Sequence, residues 1–163
     1  MPTYITTFET QIGPLTAAVD EAGALLALYF GREVDSRGAP GEQIVDAARC
    51  AHVVTQVQEY FTGERREFDL PMSPRGTEFQ RNVWSELKQI PYGQSISYGE
   101  LAARLGKPAA VRAVGQANGA NPIAIIVPCH RVIGANGKLT GYAGGLPQKH
   151  HLLAHEAMIL MAG

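Results

Sequence analysis

Ile123-Ala124-Ile125-Ile126-Val127-Pro128-Cys129-His130-Arg131-Val132 is the stretch on which the reading of this chain turns. Its five leading residues are apolar and mostly β-branched, which predicts a strand or extended segment inside a core. Pro128 stops any ladder and fixes φ, so Cys129 is expected to leave the rim of that core in a defined direction. His130 follows at once. A thiol is a weak nucleophile until it is a thiolate, and a neighbouring base or cation is what lowers its pKa. By itself the pair also fits an inert core cysteine beside a surface histidine. The residues around it decide.

The chain has 163 residues, 45% of them hydrophobic and 18% charged, which suits one domain or two small lobes with a sizeable core. No apolar run approaches the roughly 20 residues that cross a bilayer. Met1 to Ile5 lacks the basic and apolar parts of a secretory signal. Cys50 and Cys129 are both expected to be reduced, and with no Cys-x-x-Cys they make no metal site. The net charge of −1 hides an asymmetry. Residues 1–75 carry six Lys/Arg against eleven Asp/Glu, and residues 76–163 carry eight against four, with four of the five histidines. Such a split fits a second half that meets a polyanion, though ordinary surface scatter also produces it.

Residues 3–10, 15–20 and 24–30 alternate or run β-rich between turn signals, which predicts a small antiparallel meander. Glu42 to Phe61 has largely helical spacing and ends at Thr62-Gly63, with Cys50 assigned to packing. Phe68-Asp69-Leu70 is a candidate strand, and 71–76 has the composition of a linker. Thr77-x-x-Gln80 is a capping box opening a helix through Leu87, whose face is Phe79, Val83, Trp84 and Leu87. Ser97-x-x-Glu100 opens a short helix over 98–105. Gly106-Lys107-Pro108 turns the chain, and a second helix covers 109–118. Two short helices about a glycine-bearing turn read as a helix-turn-helix, and Arg104, Lys107 and Arg112 against Glu100 fit a phosphate neighbour.

A last helix is expected over 148–161, after Pro147, with Leu152, Leu153, Ile159 and Leu160 on its apolar face. Glu156 falls on that face by spacing. An inward carboxylate is costly unless paired, so it is either an internal ion-pair partner or the third member of a Cys-His-Glu set, orienting an imidazole that activates a thiol.

From about Thr77 to Glu156 the chain resembles the O6-alkylguanine-DNA alkyltransferase (methylated-DNA–protein-cysteine methyltransferase) family. The residues that carry the resemblance are Ser97-Tyr98, Arg112-Ala113-Val114-Gly115, Asn121-Pro122, Pro128-Cys129-His130-Arg131-Val132, Gly141-Tyr142-Ala143-Gly144-Gly145-Leu146 and Leu153-Ala154-His155-Glu156. The amino-terminal half resembles the family's variable lobe only loosely. The implied fold is α/β: a small ribonuclease-H-like lobe over 1–75, and over 76–163 a mainly helical DNA-binding and alkyl-acceptor domain with a winged-helix-like helix-turn-helix. The implied function is DNA repair by direct reversal, a single irreversible transfer from O6-alkylguanine, and from O4-alkylthymine, to Cys129.

The resemblance also implies roles. Cys129 attacks the alkyl carbon, His130 is the base through a bridging water, Glu156 supports the imidazole, and Tyr98 gives a proton toward guanine N3. Arg112 enters the base stack as the lesion flips out, while Ala110 and Val111 let their helix lie in the minor groove. Asn121 hydrogen-bonds backbone across the hinge between that helix and the Cys129 segment, and is grouped with Tyr98 among the DNA-binding residues. The carbonyls of Cys129 and Val132 accept from the guanine amine, the Ala143 N–H donates to O6, Tyr142 walls the pocket, and Gly144 with Gly145 leaves its mouth open to bulkier adducts. No metal and no cofactor are implied. The expected partner is double-stranded DNA carrying the lesion, with no membrane, a monomeric state open to cooperative assembly on DNA, and a cytoplasmic location. Two other classes stay open on the residues alone: a helix-turn-helix module that binds damaged DNA without chemistry, and a Cys-His-Glu thiol hydrolase.

Overall fold

The computed structural model describes residues 1–33, 35–139, 142 and 144–163, and divides into two compact units, Met1–Arg75 and Gly76–Gly163. In the first, strands β1 (Thr3–Thr10), β2 (Gly13–Val19) and β3 (Leu25–Phe30) form the expected antiparallel meander. Beyond the expectation, Gln43–Val45 is not the start of a helix but a strand, β4, parallel to β1, giving the order β3-β2-β1-β4. Asp46 is what separates them: its extended backbone ends the strand, and its carboxylate caps helix α1 (Ala47–Thr62) by accepting from the Arg49 N–H. Helix α1 packs on the sheet through Cys50, Val53, Val57 and Tyr60. Cys50 is buried there, its thiol donating to the Tyr4 carbonyl at 3.5 Å, in keeping with packing. Phe68-Asp69-Leu70 is not a strand. The ladder contact falls later, where Met72 bridges Leu25 through Leu25 N–H to Pro71 O and Ser73 N–H to Leu25 O.

In the second unit the Thr77–Gln80 capping box is complete and opens α2 (Glu78–Leu87), which buries Val83, Trp84 and Leu87. The second box is half made. Ser97 accepts from the Glu100 N–H at the start of α3 (Tyr98–Arg104), but the Glu100 carboxylate turns to Arg104, 2.7 Å away. After the turn, α4 (Val111–Gly119) begins two residues later than expected, with Ala110 as an N-cap that offers no side-chain acceptor. Helices α3 and α4 pack together as the helix-turn-helix, and Trp84 Nε1 donates to the Ala117 carbonyl at 2.8 Å, tying α4 to α2.

Residues 123–127 are buried, as their composition demands, yet they form tight turns and no strand. Ile125 sits at φ 70°, a left-handed conformation that a β-branched residue adopts only at a cost of about 1–3 kcal/mol. What replaces the ladder is a set of local turn bonds, Ile126 N–H to Ala124 O and Val127 N–H to Ile123 O, together with one side chain. Asn121 Nδ2 donates to the carbonyls of Ile123 (3.1 Å) and Val127 (2.8 Å), and its Oδ1 accepts from the Ile123 N–H (3.0 Å). Cys129–Arg131 is then a 3-10 turn, so Cys129 and His130 are not neighbours in an extended chain, and Cys129 lies beneath the surface. Only after it does a strand form: β6 (Val132–Ile133) pairs in parallel with β5 (Ile96–Ser97).

The final helix, α5 (Leu146–Ala162), corrects the expected apolar face. Leu160 is exposed, while Lys149, Leu152, His155 and Glu156 are buried. The inward stripe is largely polar because it faces the thiol segment, not a hydrocarbon core. Replacing Trp84 by Phe removes the bond to Ala117 and is expected to lower stability by about 1 kcal/mol, read as a reduced urea midpoint with an unchanged m-value.

Candidate active site

Glu156 sits at the centre of the second unit, 1% exposed, and accepts four hydrogen bonds. Its Oε1 takes the Gly93 N–H (3.0 Å) and Arg131 Nε (2.9 Å), and its Oε2 takes His130 Nε2 (2.8 Å) and Arg131 Nη2 (2.9 Å). The Ile90–Gly93 turn is shaped for this. Gly93 has φ 78°, and a Cβ there would run into Leu160, so only glycine brings its N–H to the carboxylate. Arg131 is further held by the Ile90 carbonyl (2.8 Å) and lies 5.5 Å from the centre of the Tyr92 ring. Burial by itself would raise the Glu156 pKa, but the bonds from His130 and Arg131 outweigh it and keep the carboxyl well below the usual carboxylate range.

His130 is fully buried, and among the described residues its Nδ1 has no hydrogen-bond partner. Burial lowers its pKa. Glu156 pulls it back up, Arg131 and Lys149 push it down, and the net shift is downward, so the ring is neutral at pH 7. Cys129 differs from the expectation of a lowered pKa. Burial dominates and raises the thiol above its ordinary value, against the opposing pull of the Asn121 amide, the Lys149 charge and the Tyr142 hydroxyl. The resting pair is therefore a thiol beside a neutral imidazole, not a thiolate–imidazolium pair.

The structure brings Cys129, His130, Glu156, Asn121, Val132 and Tyr142 together. Lys149 Nζ donates to the Val132 carbonyl (2.7 Å) and lies 5.9 Å from the Tyr98 ring centre, which connects Tyr98 to the group. Because a carbonyl has two lone pairs, the Val132 oxygen keeps a second acceptor site. Asn121, expected among the DNA-binding residues, uses its amide within the chain, on the loop that carries the thiol. Ala110, Val111 and Arg112 lie apart from the thiol group at the first turn of α4, with Val111 and Arg112 exposed. Gly144 immediately precedes the α5 cap, Gly145; Ala143 lies outside the described residues.

Three members of the site were given no role from sequence: Arg131, Lys149 and Gly93. Lys149 was visible in principle, since it shares a helix face with Leu152 and Glu156 at spacings of three and seven. Among the described residues no cluster of His, Cys, Asp and Glu could hold a metal, and no helix is long and apolar enough to cross a membrane.

A thiol with its own histidine and carboxylate, carried in the same unit as a helix-turn-helix, defines a class of protein that joins a nucleophile to a nucleic-acid-binding type of surface. Residues 78–158 match the family model for the 6-O-methylguanine DNA methyltransferase DNA binding domain, and residues 3–74 match the model for that enzyme's ribonuclease-like domain. A methylated-DNA–protein-cysteine methyltransferase of Methanosarcina acetivorans is 50% identical over 153 residues, 94% of this chain and 97% of that one. Its Mycobacterium tuberculosis counterpart is 49% identical over 150 residues, 92% and 90% of the two chains. The crystal structure of Mycobacterium tuberculosis OGT in complex with DNA is similar at a TM-score of 0.86 and 47% identity, covering 96% and 94%. The chain belongs to the 6-O-methylguanine DNA methyltransferase family.

Two outcomes follow from the geometry. Glu156→Gln leaves Arg131 a buried cation without its counter-charge and should cost about 3–5 kcal/mol in chemical denaturation. His130 and Glu156 both bind protons less readily folded than unfolded. Stability should therefore fall as pH drops below about 6.5, the ordinary imidazole value, and again below about 4.5, that of a free glutamate, as read by thermal melts across pH.

Proposed function

We propose that the protein repairs DNA by direct reversal, moving the alkyl group of O6-alkylguanine, and of O4-alkylthymine, onto Cys129 of its own chain. The observation that carries this reading is the buried pair of neutral His130 and ionised Glu156 next to the Cys129 thiol, in the unit that bears the helix-turn-helix. The domain assignment follows: 1–75 is a supporting α/β lobe, and 76–163 binds DNA and accepts the alkyl group.

The chemistry runs as a displacement. His130 Nδ1, a bare acceptor, takes the thiol proton directly or through one water as sulfur attacks the saturated alkyl carbon. The C–O bond breaks, and the Tyr98 hydroxyl supplies a proton toward guanine N3, so the base leaves neutral. The Tyr142 hydroxyl donates to the sulfur as it gains charge, and the Lys149 charge and the nearby Asn121 amide favour that charge. Val132 and Ala143 present main-chain groups to the base, Tyr142 walls it, and Gly144 leaves the mouth open. The product is a thioether with no electrophilic carbonyl for water to attack. The protein therefore acts once.

A base in a duplex cannot reach a buried thiol and must be flipped out. Arg112, exposed on the first turn of α4, fills the gap in the stack, and the small neighbours Ala110 and Val111 let the helix approach the minor groove. Minor-groove contacts discriminate sequence weakly, so the lesion is what is read. A thiol nucleophile needs a reducing compartment, which supports a cytoplasmic protein.

Incubation with an O6-methylguanine oligonucleotide should add about 14 mass units, the exchange of hydrogen for methyl, to the Cys129 peptide and to no other. A DNA-binding module without chemistry leaves the mass unchanged, and a thiol hydrolase turns over repeatedly on an acyl substrate; either result defeats the proposal. Arg112→Ala should slow repair in duplex DNA at least tenfold while sparing reaction with free O6-benzylguanine, which needs no flipping. Equal losses on both substrates would move Arg112 into the fold or the pocket.

A further inference from the structure

Arg131 is a charged residue of the site to which the mechanism above gives no step. It is 6% exposed and places its guanidinium fork on both oxygens of Glu156, at 2.9 Å each. Its third bond goes to the Ile90 carbonyl, and the Gly93 N–H takes the remaining acceptor site. With four donors around it, the carboxylate has no lone pair left for a proton of its own. Glu156 is therefore acceptor-only, and the proton in the 2.8 Å contact to His130 belongs to Nε2. In a neutral ring the other nitrogen must then be bare, and Nδ1 is the buried nitrogen without a partner among the described residues.

We infer that Arg131 is the positioning residue that holds His130 as a neutral base with its lone pair on Nδ1, by fixing Glu156 as a fully occupied carboxylate and opposing its pull on the imidazole proton. The inference rests on the alkyl-transfer reading and adds to it a residue that never touches substrate. Its physical basis is a competition. A lone carboxylate 2.8 Å from an imidazole favours the imidazolium, and an imidazolium cannot accept the thiol proton. A guanidinium bidentate on that same carboxylate opposes the field without displacing the hydrogen bond. The other charged groups near His130 act in the same sense or are neutral. From α5, Lys149 adds a second positive charge that disfavours the imidazolium. From the 3-10 turn itself, Cys129 rests as a thiol, and Tyr142 is held protonated by burial and by Cys129. The residues that α2 buries, Val83, Trp84 and Leu87, carry no charge.

The test compares pH profiles of single-turnover transfer from an O6-methylguanine duplex. In the unsubstituted protein the acid limb should lie below the ordinary imidazole range. In Arg131→Met it should move up by at least one pH unit, giving about a tenfold slower rate at pH values below both limbs and no difference by pH 9. Arg131→Lys restores the charge but not the fork and should move the limb part of the way back. A loss of the same factor at every pH, equal in both variants, would reduce Arg131 to a structural ion pair and overturn the inference. Should the variants not fold, nitrogen NMR of the unsubstituted protein labelled in histidine decides the matter between pH 6 and 8. A protonated Nε2 with a bare Nδ1 on His130 is expected, whereas a protonated Nδ1 or an imidazolium defeats the proposal. This readout needs no alkyl transfer, so its failure is distinct from failure of the repair reading, which the Cys129 mass gain tests.

Discussion

One carboxylate organises the second unit. Sitting on helix α5, Glu156 takes donors from two places distant in sequence, the Ile90–Gly93 turn and the 3-10 turn of the thiol. Burying an unpaired charge is prohibitive, and a buried pair is only tolerable when its remaining hydrogen-bonding sites are filled. Here they are, so the cluster constrains geometry more than it adds stability. The charge balance matters as much as the contacts. At rest Glu156 is negative, Arg131 and Lys149 are positive, and His130 and Cys129 are neutral, which leaves a local excess of one positive charge. That excess favours a negative charge appearing on sulfur, and it does so without a permanent thiolate. A buried thiol at rest is also protected from oxidation, since oxidants attack the thiolate.

Legibility from the sequence followed from how local each signal was. The three meander strands, the Thr77–Gln80 box and the α3–α4 pair are specified by neighbouring residues, through turn chemistry and capping, and they appear where the residues place them. The inward place of Glu156 on its helix was legible too, and the structure gives it the partner that an inward carboxylate requires. Failures came where an apolar run or a helical stripe was read without its partners. Residues 123–127 have a strand's composition, but burial and ladder formation are separate properties. The Asn121 side chain satisfies those carbonyls, so no partner strand is needed. Residues 43–45 were absorbed into a helix because Ile44 happens to fit helical spacing, whereas Asp46 was the true cap.

The α5 face failed for a different reason. Periodicity finds the inward stripe, and it did find Glu156, but it assumes the inward residues are apolar. Lys149 and Glu156 point inward because the surface they meet is the thiol loop, with its main-chain carbonyls and Arg131. Arg131 was invisible for the complementary reason. In the Cys-His-Arg run it looks like a surface cation next to a catalytic pair, and nothing local reveals that a glutamate twenty-five residues away turns toward it.

Helix α4 and the sulfur are joined by a segment tied down by its own hydrogen bonds. Helix α4 ends at Gly119, and Asn121 then locks the turns that end at Pro128, so Arg112 and Cys129 belong to one nearly continuous piece of ordered chain. Stiffness here serves the reaction. A flipped nucleotide loses stacking and pairing worth a few kcal/mol, and that cost is recovered only if its destination is already shaped. A site that had to assemble after flipping would add its own ordering entropy to the same barrier. Because the thioether product is final, nothing selects for a site that reopens and resets. The strain at Ile125 and the buried charges at Glu156, Arg131 and Lys149 are compatible with a reagent that must be correct once. A catalyst cycling through the same pocket would have to release product past them.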